Sequence, residues 1–429
     1  MKLNFIGIVA IFVVFATTIS APAQSHSVRV DSVIIIGNKH THNEVILREI
    51  PFNFPHRVTG DDLETIRNRL LNLHLFNNVD VRVHEGRNKN VLIITVTETW
   101  YFYPAPLVFF NERSLKKISV GLQLIHMNFR GMNEKLFASG WLGYNPGVNF
   151  SYLNPWLGQT QRVILSAKVM YLLRKNRSFD FKERQRGAVV GVGKRFSLYQ
   201  FIYAEVGWRR ITVPQEYTVY MASTTTTDDV FSVSALYQMD HRDLIEYPLR
   251  GYYLEFRASH FGTGNSPVNF NRLVSDVRGY LPLVSHRVSA AFRNFAVLQE
   301  GFVPIYEWQY FGYEERLRGY FYQPLTRKNL MLTSIELRYL VLPYRVKTFS
   351  DDGWLSYFLK DIRYAMSLGA FVDMGLLWDE PREVSLTRAR WGYGFGINFH
   401  LPFVQILRLE RAWNDTGRGQ YIIDVGVSF

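Results

Sequence analysis

Asp240 and His241 set a carboxylate beside an imidazole, the pairing that general acid–base catalysis uses. Neighbours on an extended strand point to opposite faces, so the two cannot act on one proton if their surroundings alternate as a strand does. Gly187 to Arg195 resembles a phosphate-cradling loop, but its first glycine is misplaced by one residue. Arg195 also stands where that chemistry needs a Ser or Thr hydroxyl. There is no His-Glu-x-x-His zinc pattern and no Gly-x-Ser-x-Gly elbow. The 11 histidines are scattered, and the count of cysteines is zero. That count excludes disulfide frameworks, thiolate metal sites, cysteine nucleophiles and a lipidated N-terminal cysteine. The expectation is a chain with no enzymatic activity, no cofactor and no metal. A hydrolase that gathers Ser and His from different strands is the arrangement left open.

The elements that would position any functional group are mostly strands. The last nine residues show the pattern: Tyr421, Ile423, Val425, Val427 and Phe429 fall on one face, Asp424, Gly426 and Ser428 on the other. Phe231, Val233, Ala235, Tyr237 and Met239 alternate with Ser232, Ser234, Gln238, Asp240 and Arg242. Tyr252, Leu254, Phe256 and Ala258 alternate with Tyr253, Glu255, Arg257 and Ser259. Ile335, Leu337, Tyr339 and Val341 do the same against Ser334, Glu336 and Arg338, which puts Glu336 and Arg338 on the polar face. About sixteen such segments begin near residues 101, 117, 133, 147, 162, 181, 201, 230, 251, 269, 287, 330, 362, 391, 404 and 421. One greasy and one wet face per strand predict a transmembrane β-barrel of about 16 antiparallel strands over residues 99–429, with apolar side chains to lipid and polar ones to a lumen. An even number returns the chain to the side from which it started. A soluble β-sandwich is the competing fold, but its core would need far fewer aromatics than the 15% present.

Residues 1–23 read as an export signal: Lys2, an apolar run from Phe5 to Ala16, and the small-x-small sequence Ala21-Pro22-Ala23. The run is short of the roughly 20 residues that a spanning helix needs. Removing it deletes Lys2 and no acid, so the formal charge falls from +12 to +11. For an exported chain, anionic lipid head groups or a charged lumen answer that basic balance better than nucleic acid.

Residues 26–98 read as a small soluble α+β unit of order β-α-α-β-β. A strand covers Val28 to Ile36; Thr41 with Glu44 suggests a capping box for a helix through Ile50. Thr59 with Asp62 opens a second helix striped by Leu63, Ile66, Leu70 and Leu73. Two strands follow, around Val79–Val83 and Val91–Thr97. Val33-Ile-Ile-Ile-Gly-Asn38, Ile46-Leu-Arg-Glu49, Leu75-Phe-Asn-Asn-Val79 and Ile94-Thr-Val-Thr-Glu98 make this unit resemble a POTRA domain. The resemblance implies docking of extended client or partner segments on a sheet edge. A plain spacer is the alternative.

Asn128-Phe-Arg-Gly131, Tyr152-Leu-Asn-Pro-Trp-Leu157 and Asp240-His-Arg-Asp243 with Pro248 and Gly251 extend the resemblance. Together they are similar to the barrel of the outer-membrane assembly and translocation superfamily, to which BamA, TamA and the two-partner secretion transporters belong, built as a POTRA domain plus a bacterial surface antigen barrel. Leu317-Arg-Gly-Tyr320, in the longest connection, is similar to the family's loop motif that folds back into the lumen. Phe371-Val-Asp-Met-Gly375 with Trp378 is similar to the strand that receives it. The resemblance implies that Arg318 pairs with Asp373 inside the barrel, with Glu336 and Arg338 as neighbours, either as a working element or as a latch. It also implies an outer-membrane insertase or translocase with its N-terminal domain in the periplasm. Its partners would be outer-membrane lipids, unfolded outer-membrane or secreted clients and periplasmic accessory proteins. A passive pore with a structural soluble domain is the alternative. Pro104 and Pro106 lack the N–H that a ladder needs. In the first barrel strand they would weaken the seam with residues 421–429 and let it open sideways; in a linker they would have no such effect.

Overall fold

Alternating apolar residues from Phe102 onward do form strands, and each strand pairs with its chain neighbour because short turns bring consecutive segments together. The structure is a computed structural model. It describes residues 27–110, 117–158, 162–176, 181–264, 266–284, 287–311, 317–320, 325–350, 353, 359–401 and 405–425. The expected export signal, Val427 and Phe429 lie outside the described residues.

The N-terminal unit contains β1 (Val28–Val30), β2 (Ser32–Ile36), α1 (Asn43–Leu47), β3 (His56–Val58), α2 (Gly60–Asn72), β4 (Phe76–Glu85) and β5 (Asn90–Glu98). A three-stranded sheet has order β2-β5-β4, with β2 parallel and β4 antiparallel to β5, while β1 pairs with β3. The helices lay Val45, Ile46, Ile66, Leu70 and Leu71 against Leu92, Ile94 and Val96 in one buried core. The expected order therefore gains a strand at each side of α1. Asp31 splits the anticipated strand in two: its backbone N–H donates to the Asn90 carbonyl, and its carboxylate accepts from the Asn90 N–H. The Thr59–Asp62 capping box is present. The one at Thr41 is not: α1 has His42 as N-cap with no side-chain cap bond, because the Thr41 hydroxyl is engaged with Tyr101 and Asn128.

The rest is one antiparallel sheet of sixteen strands: β6 (Phe102–Phe110), β7 (Ile118–Phe129), β8 (Glu134–Gly143), β9 (Gly147–Leu157), β10 (Val163–Lys175), β11 (Lys182–Arg195), β12 (Gln200–Thr212), β13 (Thr227–Asp240), β14 (Gly251–Phe261), β15 (Asn269–Val284), β16 (Val288–Phe302), β19 (Asn329–Lys347), β20 (Ile362–Trp378), β21 (Arg390–Leu401), β22 (Gln405–Asn414) and β23 (Gly419–Val425). A small hairpin, β17 (Gln309–Phe311) with β18 (Leu325–Arg327), interrupts the sequence between β16 and β19. The expected starts fall within three residues of the observed ones, the largest departure being 230 against Thr227. The strand expected over 231–242 ends at Asp240. The two faces differ as a membrane requires: on β19, Ile335 and Leu337 are 56% and 50% exposed, whereas Glu336 and Arg338 are 3% and 0% exposed. No helix among the described residues is long and apolar enough to cross a membrane; the strands make the crossing.

The N-terminal unit sits against the barrel turns on its own side. Asn72 bonds both ways with the β13–β14 turn, from Nδ2 to the Asp243 carbonyl (3.1 Å) and from the Ile245 N–H to Oδ1 (2.9 Å). His74 meets Glu246 at 3.3 Å, and Thr97 donates to Asp361 at 2.8 Å. At the first turn, the His42 N–H donates to the Gly131 carbonyl. Gly131 has φ +70°, and a Cβ there would overlap the His40 carbonyl, so only glycine permits this approach.

Candidate functional site

Odd-numbered residues of β20 face the lumen, which places Phe371, Asp373 and Gly375 on one inward row while Val372 is exposed outward. The loop residues Leu317-Arg-Gly-Tyr320 lie against that row. Arg318 donates from Nε and Nη2 to the two oxygens of Asp373 at 2.8 and 2.7 Å, and its backbone N–H adds a third bond at 3.1 Å. Nη1 donates to Glu336 at 2.9 Å and to Glu410 at 3.4 Å. The guanidinium carbon sits 3.5 Å from the Phe371 ring centroid, so one arginine is held by a forked carboxylate, two further carboxylates and an aromatic face.

The surroundings are shaped to admit the loop. Leu317 is fully buried in a cluster with Phe311, Leu330 and Leu332, and Tyr320 donates its hydroxyl to Asp415. Gly319 has φ +97°, and a Cβ there would lie 2.6 Å from the Trp413 carbonyl oxygen. The lumen face of β21 begins with Gly392, Gly394 and Gly396. A Cβ on Gly392 would overlap the Arg318 carbonyl, and one on Gly394 would lie 2.8 Å from the Phe371 ring. A Cβ on Gly375 would lie 2.7 Å from Phe311 and 2.8 Å from Leu317. Sequence reasoning overlooked this row of alternate glycines, although Gly-x-Gly-x-Gly inside a strand signals close approach.

The charges continue along the lumen wall. Glu336 also accepts from Arg338 Nε at 3.0 Å, and Arg338 Nη1 reaches the Pro248 carbonyl at 3.1 Å. Arg338 lies over Tyr247 and Tyr280. Arg408 donates to Glu410 at 3.1 Å and to Asp424 of the last strand at 2.7 Å. Arg408 and Glu410 were not anticipated, though Leu407-Arg-Leu-Glu410 alternates in the same way. Arg318, Arg338 and Arg408 thus share Glu336, Asp373, Glu410 and Asp424 in a network buried from water, where each pair is stronger than on a surface. On β23, Tyr421 and Ile423 are exposed outward, while Ile422 points inward and packs with Phe371 and Ala412. That apolar inward residue departs from the wholly polar face expected. Val425 ends β23.

The two edge strands of the sheet are β6 and β23, and no ladder joins them among the described residues. Pro104 and Pro106 lie in β6 and not in a linker, opposite Leu124 and Leu122 of β7. The Met127 N–H bonds the Tyr101 carbonyl across from it, so odd positions of this segment face β7. In an antiparallel ladder the alternate positions then face away. Pro104 and Pro106 are even, so both missing donors fall on the seam edge and the ladder to β7 loses nothing. Trp100 engages the Phe102 carbonyl through its indole N–H.

The hydrolytic arrangements resolve differently. Asp240 is bound at both oxygens by Arg242, while His241 stacks between Tyr199 and Tyr252. Ser367 and His400 do meet, at 2.9 Å from Oγ to Nε2, across β20 and β21. The other imidazole nitrogen meets the Tyr344 hydroxyl at 2.8 Å, not a carboxylate, and Ser367 is fully buried. As it stands this pair ties one strand to the next.

A family model described as the Omp85 superfamily domain matches residues 128–429, and a POTRA model, described as a surface antigen variable number repeat, matches residues 28–99. No curated protein matches the chain by sequence. Among solved structures, BamA from Haemophilus ducreyi lacking POTRA domains 1–3 is similar at TM-score 0.55 and 16% identity, over 95% of this chain and 84% of that one. CdiB from Acinetobacter baumannii is similar at TM-score 0.52 and 12% identity, over 93% of this chain and 73% of that one. CdiB from Escherichia coli is similar at TM-score 0.52 and 11% identity, over 95% and 92%. At these identities the likeness is one of fold.

Proposed function

This chain belongs to the Omp85 superfamily, and from that premise we propose that it inserts polypeptides into the outer membrane or passes them across it. Extended client segments dock by strand addition on the sheet edge of the POTRA domain and then at the barrel seam. The POTRA domain faces the periplasm, the outward faces of the strands contact outer-membrane lipid, and unfolded outer-membrane or secreted proteins are the clients. No covalent chemistry is involved, and the drive is client binding and folding.

The observation that carries this reading is the seam. Two of the seam-facing positions of β6 lack a donor, so a ladder closing the first strand on the last would be two hydrogen bonds short and would open at lower cost than a full one. The loop holding Arg318 supports it, because it braces β19, β20 and β22 from inside. A passive pore would need neither a proline-weakened seam nor a soluble domain bonded to its turns.

A disulfide across the seam tests the proposal. The chain has no cysteine, so Leu107→Cys can be paired in turn with Gln420→Cys, Ile422→Cys and Asp424→Cys without background. The expected result is that whichever pair crosslinks stops client assembly or secretion under oxidising conditions and restores it on reduction. Full client handling by the locked barrel overturns the proposal. Depletion separates the pore reading: loss of other barrels or of an exported protein supports insertion or translocation, loss of solute uptake alone supports a pore.

A further inference from the structure

A cavity of about 430 Å³ lies where the end of α1 and one side of α2 meet the adjoining ends of β9, β11 and β13. Most charges lining it are already matched. Glu49 is taken by Arg69 at 2.6 Å, Asp240 by the fork of Arg242, and Asp243 accepts from the N–H groups of Leu244 and Leu249.

Arg48 and Arg195 are different. The Arg48 side chain is only 10% exposed, its nearest carboxylate oxygen is 3.9 Å away on Glu49, and its Nε has no acceptor among the described residues. Burial, reinforced by the like charge of Arg195, pushes its guanidinium down to about 10 in spite of Glu49. Arg195 gives its Nε proton to the Pro155 carbonyl at 3.1 Å. Both guanidinium groups lie over the Trp156 ring, at 5.1 and 5.8 Å from its centroid. Asn133, which lines the same cavity, presents a buried Oδ1 without a hydrogen-bond partner among the described residues. Two buried cations that share one carboxylate already bonded to Arg69 are costly, and so is a buried acceptor lacking a donor. A simple anion would answer only the first. A polypeptide answers both, because it carries carboxylates and N–H groups a few ångströms apart, and the aromatic floor suits its side chains.

We propose that this cavity receives an acidic residue or free C-terminus of an extended polypeptide, its carboxylate between Arg48 and Arg195 and a neighbouring N–H donating to Asn133. The inference rests on the proposed function and names what the POTRA–barrel junction selects in a client.

The test uses the full chain in detergent micelles and a fluorescein-labelled decapeptide of alternating Val and Thr with one central Asp, read by fluorescence polarisation. The same peptide with Asn in place of Asp is the comparison, and inorganic phosphate is the competitor. Binding of the Asp peptide should weaken about tenfold in Arg48→Gln and again in Arg195→Gln, the scale of one charge-assisted hydrogen bond. It should be unchanged in Arg388→Gln, whose side chain is exposed in the β20–β21 connection. Heat-dependent gel mobility establishes that each variant is folded; should Arg48→Gln fail to fold, Arg195→Gln and Trp156→Phe carry the test. Equal binding of the Asn peptide, or undiminished binding by the folded variants, overturns the inference. Displacement by phosphate well below the concentration at which the peptide binds also overturns it, in favour of a free-anion site. Client loss on depletion with no peptide binding removes this inference and leaves the function standing; peptide binding with no client loss does the reverse.

Discussion

The guanidinium of Arg318 uses its fork, its remaining nitrogen and its π-face at once, which lysine cannot do. It bonds three carboxylates that are themselves buried. Arg318→Ala should leave Asp373 a buried anion without its cation, while Arg338 and Arg408 still reach Glu336 and Glu410, at a cost of roughly 3–5 kcal/mol by analogy with other buried pairs. The sixteen-stranded ladder persists because none of its backbone bonds passes through the loop. The expected outcome is a barrel that still shows heat-dependent gel mobility, with a lower unfolding temperature and impaired client handling. Arg318→Lys should recover part of the stability and little of the handling. An unchanged unfolding temperature would show that the contact carries no load. Wild-type client levels in Arg318→Ala would reduce it to a latch. Arg318 and Asp373 were legible because the motifs that hold them resemble a known pair. Glu410 and Arg408 were not, since joining them to Arg318 needs the pairing of Phe395 with Arg411 and of Gly396 with Glu410 across β21 and β22. That register is set by tertiary packing and is not readable along one strand.

Strands announce themselves by period two, which is why their starts were readable to within three residues across the barrel. Short elements carry no period. β1 and β3 have three residues each, and their pairing depends on contacts with distant residues. The Thr41 and Thr59 motifs show the same limit. Both have the spacing of a cap, but Thr41 is diverted by Tyr101 and Asn128, which the local sequence cannot foresee. For β6, the local signal was the presence of two prolines, and the ladder decided which edge they spoil. Pro104→Val with Pro106→Val restores two donors on the seam side and should strengthen closure by about 0.5–1.5 kcal/mol for each bond formed. A higher unfolding temperature with slower client insertion into liposomes is expected. If insertion is undiminished when stability rises, the seam is not where clients enter.

At the scale of the whole molecule, the soluble domain is not tethered loosely but bonded to several turns of the barrel, and acid should loosen that attachment. Burial raises the Glu98 carboxyl, yet the N–H groups of Thr41 and His40 and the His40 ring outweigh it and hold the group below its ordinary 4.5. Burial likewise opposes Glu246, but the His74 bond and nearby cations keep it below 4.5 as well. A carboxyl depressed on folding contributes stability that is complete above its unfolded value and is lost as pH falls through the folded one. Asp243, raised chiefly by burial in the same turn, works the other way, since acid relieves its charge. With Glu98 bracing the Thr41 contact to Tyr101 and Asn128, and Glu246 bracing α2 at His74, two groups of this kind face one that opposes them. Docking should therefore hold from neutrality down to about pH 5 and weaken below 4.5. Spin labels at Arg87→Cys, in the exposed β4–β5 turn, and at Phe349→Cys, exposed beside the β19–β20 turn, read the separation directly. The distance distribution should broaden as pH falls past 4.5. In Glu246→Gln it should already be broader at neutrality and should change less on acidification. A distribution that stays narrow to pH 3 would show that apolar contacts, such as Met127 and Leu244 against the POTRA core, hold the two parts together without their carboxylates.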